Sequence, residues 1–253
     1  DLRVNLDLNF FSNQYILFAL VMVLTAFPVG FSAGLFGIGG GLISVPVLYY
    51  IFGALGLSND YLMHLAVGTS FAIIVPTSIS SVLAHHKFKA VDFNIVKTYG
   101  LYAILGAILG TIFTSTLKTE QLILFFVIVT FFLGIYLIFL KEKKIESNLN
   151  FKTHYKIFFG FISGFVSAPM GIGGAIMNVP VLKFFGFSIN RAIGSAAAVG
   201  FLIATTASIG FLITGNYKEI NAPLSIGFIN IPAFLIFVPI TILMAKIGAK
   251  TVH

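Results

Sequence analysis

The chain has 253 residues, of which 58% are hydrophobic and 9% charged, and its mean hydropathy is +1.04. A soluble domain of this size would lack the polar surface needed to cover its core, so the composition excludes a soluble globular protein. The net charge of +7 does not indicate nucleic-acid binding, because Lys and Arg mark cytoplasmic loops in membrane proteins. The absence of Cys excludes disulfides, thiol catalysis and Cys-based metal or cluster sites.

Several uncharged runs approach or exceed the roughly 20 apolar residues that span a bilayer. Helices are predicted, in chain order, over 14–36, 40–52, 64–85, 96–117, 120–140, 155–170, 174–185, 189–215 and 223–247. Segments 40–52 and 174–185 are too short to cross a membrane. Each is therefore predicted to form a re-entrant or broken-helix hairpin with the segment before it.

A duplicated motif organises the chain. Residues 37–48 return as residues 171–182, 134 positions later, and both copies read Gly-Ile-Gly-Gly followed by Val-Pro-Val-Leu. Residues 66–70 likewise match residues 192–196. Duplicated glycine breaks in two apolar halves are typical of transporters with a site at the repeat interface.

The domain prediction follows from this repeat. We expect a first transmembrane repeat over 1–140, a basic cytoplasmic linker over 141–156, and a second repeat over 157–253. The linker carries five Lys. The second repeat has no counterpart of segment 120–140, so we expect it to lack its last helix; a half with only four segments is the alternative.

The basic residues predict the orientation. With the linker in the cytoplasm, twelve of the 15 Lys and Arg lie inside, and only Arg3, Lys118 and Lys218 lie outside. The two helical hairpins then open to opposite faces of the membrane. The expected fold is an all-α polytopic membrane protein with two inverted-topology repeats, each a broken or re-entrant hairpin followed by transmembrane helices.

The glycine clusters are the first candidate site. Each opens a short helix whose first N–H groups lack partners and carry positive partial charge, which suits an anion. At membrane depth these donors must face protein, water or a ligand. The alternative is close helix packing through small residues, which we also predict for Gly106-xxx-Gly110 and Gly160-xxx-Gly164. The predicted substrate-binding glycines are Gly37, Gly39, Gly40, Gly171, Gly173 and Gly174.

Polar side chains follow both clusters. Ser44 and Asn178 hold the same position in the two copies and can bond to an oxyanion, the alternative being helix shaping together with Pro46 and Pro180.

Three hydroxyls and two basic side chains complete the candidates. Thr69, Ser70 and Ser195 start the next helix in each half, where they either donate to substrate oxygens or cap that helix. His85 is expected at the membrane interface, with a coupling proton as the alternative. Arg191 is expected to set topology, with gating or gripping an anion as the alternative.

No charged residue lies inside a predicted span away from its ends. This argues against a carboxylate proton relay, a sodium site built on Asp and a voltage sensor. No nucleotide-binding or metalloprotease motif is present, so we expect no enzyme activity, no cofactor, no metal and no nucleic-acid partner. The expected partners are a small anion and the lipid bilayer, with proton coupling possible and the oligomeric state open.

With both Gly-Ile-Gly-Gly…Val-Pro segments, residues 66–70 and Gly194-Ser195, the chain resembles the sulfite exporter TauE/SafE family, also called the 4-toluene sulfonate uptake permease family. The resemblance extends over about residues 14–251 and implies a transporter for sulfite, sulfoacetate or sulfonates in a bacterial or archaeal cytoplasmic membrane. Ala175 departs from the pattern, since the first copy has Gly41 there.

The resulting prediction is a secondary transporter of small anions that works by alternating access, with substrate near the midplane between the two hairpin tips. A passive anion or small-solute channel is the main alternative. An intramembrane enzyme and a membrane scaffold are the others.

Overall fold

The computed structural model describes residues 4–37, 39–57, 60–139, 151–216 and 222–253, with side chains described from Ile16 onward except at 137–139. Within these ranges the chain forms nine helices and one two-stranded sheet. The helices are α1 Val4–Phe36, α2 Gly41–Ala54, α3 Leu62–Lys87, α4 Phe93–Thr116, α5 Thr119–Phe139, α6 Thr153–Met170, α7 Ala175–Phe184, α8 Ile189–Asn216 and α9 Ile231–Thr251. The expectations for Arg3, Lys218 and linker residues 141–150 lie outside the described residues.

The prediction of a polytopic all-helical membrane protein is confirmed. Six helices are long and apolar enough to cross a bilayer, over 16–36, 62–87, 93–116, 119–136, 189–216 and 231–251. α2 and α7 have 14 and 10 residues and are too short to cross, as the sequence predicts. Helices suit this environment because they satisfy their backbone groups within the segment.

Two predicted helices start at the wrong place: α1 begins at Val4 instead of residue 14, and the last helix begins later than predicted. Segment 223–247 begins as a hairpin of strands β1 Ser225–Ile226 and β2 Ile229–Asn230, and α9 starts only at Ile231. Asn230 caps α9, since its side-chain oxygen accepts a hydrogen bond from the Ala233 N–H at 3.1 Å. Hydrophobicity alone did not reveal this boundary.

Glycine turns break the helices at the predicted positions. The first glycine turn lies between α1 and α2, and the second between α6 and α7. Gly40 and Gly174 precede the short helices with φ angles of 79° and 72°, in the left-handed region that glycine adopts without steric cost.

Glycines also let helices from the two halves approach closely. The glycines that do this occupy equivalent positions in the two copies of the repeat. A Cβ on Gly30 of α1 would lie 2.6 Å from Cα of Thr241 on α9. A Cβ on Gly164 of α6, the counterpart of Gly30, would overlap the carbonyl of Ala103 on α4. α1 thus packs on α9 as α6 packs on α4, each helix of one half against a helix of the other.

The predicted packing role of the two small-residue motifs is confirmed. Gly106 and Gly110 on α4 lie against the backbone of Phe161 and Phe165 on α6, and Gly160 faces α4 in return. Both motifs therefore form one interface.

α3 and α8 run antiparallel through the centre. Phe71, early in α3, stacks on Phe211, late in α8, with ring centroids 6.0 Å apart. At the other end, a Cβ on Gly194, early in α8, would lie 3.2 Å from Cβ of His85, late in α3. α3 is mostly buried, whereas α5 exposes side chains such as Phe132. α3 and α8 therefore form the core, and α5 lies at the periphery.

These contacts predict how glycine substitutions act. Gly164→Ala and Gly30→Ala should each destabilise the fold by about 1–3 kcal/mol, because the added methyl group forces the paired helices apart. The measurement is thermal unfolding of the purified protein in detergent.

Gly134→Ala on α5 is the matched control. A Cβ there meets nothing within 4 Å, so stability should stay level or rise slightly with helix propensity. Equal losses in all three variants would contradict the packing role.

Candidate functional site

The two glycine turns meet directly. A Cβ on Gly41, the first residue of α2, would overlap the carbonyl of Gly171 at the end of α6. A Cβ on Gly171 would in turn lie 2.6 Å from a methyl carbon of Val45 on α2. The two glycine turns therefore lie next to each other, and the contact between them is a tight backbone-to-backbone approach.

The remaining predicted glycines are buried in the same region. Gly37 and Gly39 have φ angles of 69° and 75°, and Gly171 has a φ angle of 66°. A Cβ on Gly200 of α8 would lie 2.5 Å from the carbonyl oxygen of Gly173. Positive φ and close approach together explain why glycine occupies these positions.

Ser70 joins the two turns. The hydroxyls of Ser44 on α2 and Ser70 on α3 are 2.8 Å apart, and Ser70 donates a hydrogen bond to the Gly171 carbonyl at 3.0 Å. Both serines are fully buried. The chain of bonds runs from the first short helix, through α3, to the second glycine turn.

A second polar cluster surrounds Asn178 on α7. Its side-chain oxygen accepts hydrogen bonds from the Tyr99 hydroxyl at 2.7 Å and from the Ser163 hydroxyl at 2.5 Å. Ser167, one turn along α6, is also buried, and its hydroxyl would lie 3.0 Å from a Cβ on Gly174. We call Tyr99, Ser163, Ser167 and Asn178 the Asn178 cluster.

The amide nitrogen of Asn178 is fully buried and has no hydrogen-bond partner. Exchanging the amide oxygen and nitrogen would not remove the deficit, since one of the two atoms stays unpaired in either orientation. An unpaired buried amide costs about 1–3 kcal/mol, so it marks a place where a ligand would be stabilising.

Backbone donors lie beside this amide. The N–H groups of Met177 and Asn178 both donate to the carbonyl of Gly174, which starts the helix. The preceding N–H groups, of Ala175 and Ile176, have no acceptor among the described residues, and both residues are buried. The start of α7 therefore presents unpaired N–H donors and a positive dipole end within one helical turn of Asn178.

The equivalent place in the first half is apolar. The repeat makes Val29 and Ala33 the counterparts of Ser163 and Ser167, and Ser44 the counterpart of Asn178. A Cβ on Gly40 would lie 2.6 Å from a Val29 methyl carbon, just as a Cβ on Gly174 would lie 3.1 Å from the Ser163 hydroxyl. The repeated architecture does not by itself demand a polar cluster, since the first copy has apolar side chains at two of the equivalent positions.

The helix-capping interpretation of Thr69 and Ser195 is wrong. Both lie inside their helices, and each accepts a hydrogen bond from the cap of a helix in the opposite half: Thr69 from the Asn230 N–H and Ser195 from the Asp92 N–H, both at 2.9 Å. These hydroxyls hold α9 against α3 and α4 against α8.

The two basic candidates form their hydrogen bonds with residues outside the two glycine turns. His85 is fully buried in the protein, and its ring nitrogens lie 3.0 Å from the Gly34 carbonyl and 3.0 Å from the His253 ring. Desolvation lowers the pKa of His253 from its usual value. Arg191 is exposed and forms an ion pair with Asp92 at 2.9 Å, so it supports the cap of α4.

Sequence reasoning missed Tyr99, Ser163 and Ser167. A signal existed for the two serines, because the repeat aligns them with apolar residues of the first half. Tyr99 lies on α4, far from Asn178 in sequence, and only the fold brings them together.

Three cavities lie elsewhere. One of about 490 Å³ borders α1 and the β-hairpin, one of about 670 Å³ lies between α3, α8 and α9, and one of about 680 Å³ borders the start of α5. The glycine-turn residues line none of the three, so the candidate site is closed to solvent at these openings.

Comparison with known proteins gives a consistent picture. The family described as "Sulfite exporter TauE/SafE" matches residues 22–253. A probable membrane transporter protein of Haemophilus influenzae is 32% identical over 92% of this chain and 88% of its own length. One from Methanocaldococcus jannaschii is 31% identical, covering 94% of this chain and 87% of its own. No solved structure matches.

The Ser70 bonds predict a specific loss of stability. Ser70→Ala should destabilise the protein by about 1–3 kcal/mol, because a buried carbonyl and a buried hydroxyl both lose their partner. Thermal unfolding in detergent measures the change.

Ser78→Ala is the control on the same helix, since the buried Ser78 hydroxyl bonds only to the Val75 carbonyl of α3 itself. Indistinguishable unfolding of the two variants would show that Ser70 does not hold the turns together.

Proposed function

The chain belongs to the sulfite exporter TauE/SafE family, and we propose that this membrane transporter is a secondary transporter that moves small anions by alternating access. Sulfite and organosulfonates are the proposed substrates, in keeping with the family's description. The observation that carries the proposal is the unpaired, fully buried amide of Asn178 beside the unpaired N–H groups of α7. Unpaired donors at membrane depth are stabilised by an anionic ligand.

The proposed substrate site is the Asn178 cluster with the second glycine turn, Gly171, Gly173 and Gly174. Tyr99 belongs to the first half, and Ser163 and Asn178 to the second, so the site lies where the proposed repeats 1–140 and 157–253 meet. The first glycine turn packs against the second and belongs to the proposed site as its supporting part. Its residues are Gly37, Gly39 and Gly40, together with Ser44 and Ser70. Thr69, Ser195, His85 and Arg191 receive no substrate contact in this proposal.

Alternating access fits the closed contact between the turns. Gly41 packs on Gly171 without room for a Cβ, so substrate passage requires the turns to separate. This favours a transporter over the passive channel, which needs a continuous water path. The proposed motion is a rocking of one half against the other.

An inverted relation between the halves is part of the proposal. Support comes from the antiparallel α3 and α8, whose sequences correspond, and from the reciprocal contacts of α1 with α9 and α6 with α4. The proposed cytoplasmic face carries most Lys and Arg.

The absence of native Cys makes this topology testable with single cysteines. Asp60→Cys precedes α3 and Ser188→Cys precedes α8, and both residues are exposed. The inverted arrangement predicts that a membrane-impermeant maleimide labels Asp60→Cys in intact cells, and Ser188→Cys only after permeabilisation. Labelling of both from the same side would contradict it.

The transport prediction concerns Asn178→Leu, a substitution of similar volume. We expect at least about a tenfold loss of radiolabelled sulfite and methanesulfonate flux into proteoliposomes, because the amide donor is lost from a site with few others. Thr111→Val is the control: it removes a buried hydroxyl that bonds only to the Ala107 carbonyl of its own helix. Equal flux in both variants, with both proteins folded by size-exclusion chromatography, would refute the site.

A saturable flux with accelerated exchange against trans substrate is expected of a transporter. Non-saturating single-channel currents would support the channel instead.

A further inference from the structure

The donors of the proposed site are all neutral. They are the Asn178 amide and the N–H groups of Ala175 and Ile176, while the hydroxyls of Ser163 and Tyr99 already donate to the Asn178 side-chain oxygen and orient its amide. All five residues are buried. The inference below rests on the proposed function, since it takes these donors to be the anion site.

Charged groups stay at the ends of the surrounding helices. Tyr99 is the one titratable member of the Asn178 cluster, and the exposed ion pair of Arg191 with Asp92 lies at the starts of α8 and α4. The other titratable side chains on α4, α6 and α7 are Lys97, Tyr102, His154, Tyr155, Lys156 and Lys183. A bound anion would therefore be held without a fixed positive charge in contact with it.

The number of negative charges on an anion then determines whether the site can bind it. The cost of moving an ion out of water rises with the square of its charge, so a dianion pays roughly four times the penalty of a monoanion of the same size. The stabilisation from neutral donors rises only in proportion to the charge. A set of neutral donors that offsets the desolvation of a monoanion therefore leaves a dianion strongly disfavoured.

We propose that the Asn178 cluster binds singly charged oxyanions and rejects dianions. A sulfonate group carries one negative charge at all physiological pH values, so methanesulfonate is always a monoanion. Sulfite is bound as hydrogen sulfite, its singly protonated form. The proton then crosses the membrane on the substrate and is released to water on the other side when the acid–base equilibrium is restored. Transport of sulfite is thus linked to a proton although no side chain of the protein carries it.

The test compares two substrates on the wild-type protein. Initial fluxes of sulfite and methanesulfonate into proteoliposomes are measured at a fixed, subsaturating total concentration, with equal pH on both sides, from mildly acidic to mildly alkaline buffer. Above the second ionisation of sulfurous acid, sulfite flux should fall about tenfold per pH unit, following the fraction of hydrogen sulfite. Methanesulfonate flux should stay constant, and sulfate should neither be transported nor compete.

Each other outcome has a distinct meaning. Sulfite flux that is constant or rises with pH, alongside constant methanesulfonate flux, overturns the monoanion inference and leaves the proposed function standing. A parallel fall for both substrates identifies a titrating group of the protein, such as His85 or His253, and also overturns it. If neither substrate is transported, the proposed function itself is contradicted.

Discussion

Where Gly41 meets the carbonyl of Gly171, helical hairpins from opposite halves of the chain touch through backbone alone. The same kind of approach recurs where α1 crosses α9 and where α6 crosses α4. In a lipid solvent, apolar side chains gain little by leaving lipid for protein, so close packing and hydrogen bonds must hold the helices together. Glycine makes both possible, because it brings backbones near enough for Ser70, Thr69 and Ser195 to reach across.

The two copies of the repeat share a backbone arrangement but not the polar side chains around it. Ser163, Ser167 and Asn178 gather around Tyr99, whereas their first-half counterparts Val29 and Ala33 are apolar and Ser44 bonds only to Ser70. The polar cluster therefore does not follow from the repeat itself.

Much of the fold could be predicted from the sequence, because membrane insertion ties structure to simple quantities. Long uncharged runs gave the spans, and the glycine breaks gave the two short helices with both turns in place. The start of α9 at Ile231 escaped prediction because a capping Asn and a two-residue strand pair set it, and hydrophobicity does not detect either. The candidate site was harder to predict than the fold. The repeat singled out Asn178, but Tyr99 comes close to Asn178 only because α4 crosses α6.

The reciprocal bonds of Thr69 and Ser195 have a consequence for biosynthesis. The Thr69 hydroxyl pairs with a backbone N–H 161 residues further along the chain. At about 5–20 residues per second, the ribosome needs roughly 10 to 30 s to supply that partner. Until then α3, the central helix, lacks its contacts with α8 and α9 and packs only on helices made near it in time, such as α2 and α5. The packing of this early helix is therefore completed only when the last helix of the described chain has been made.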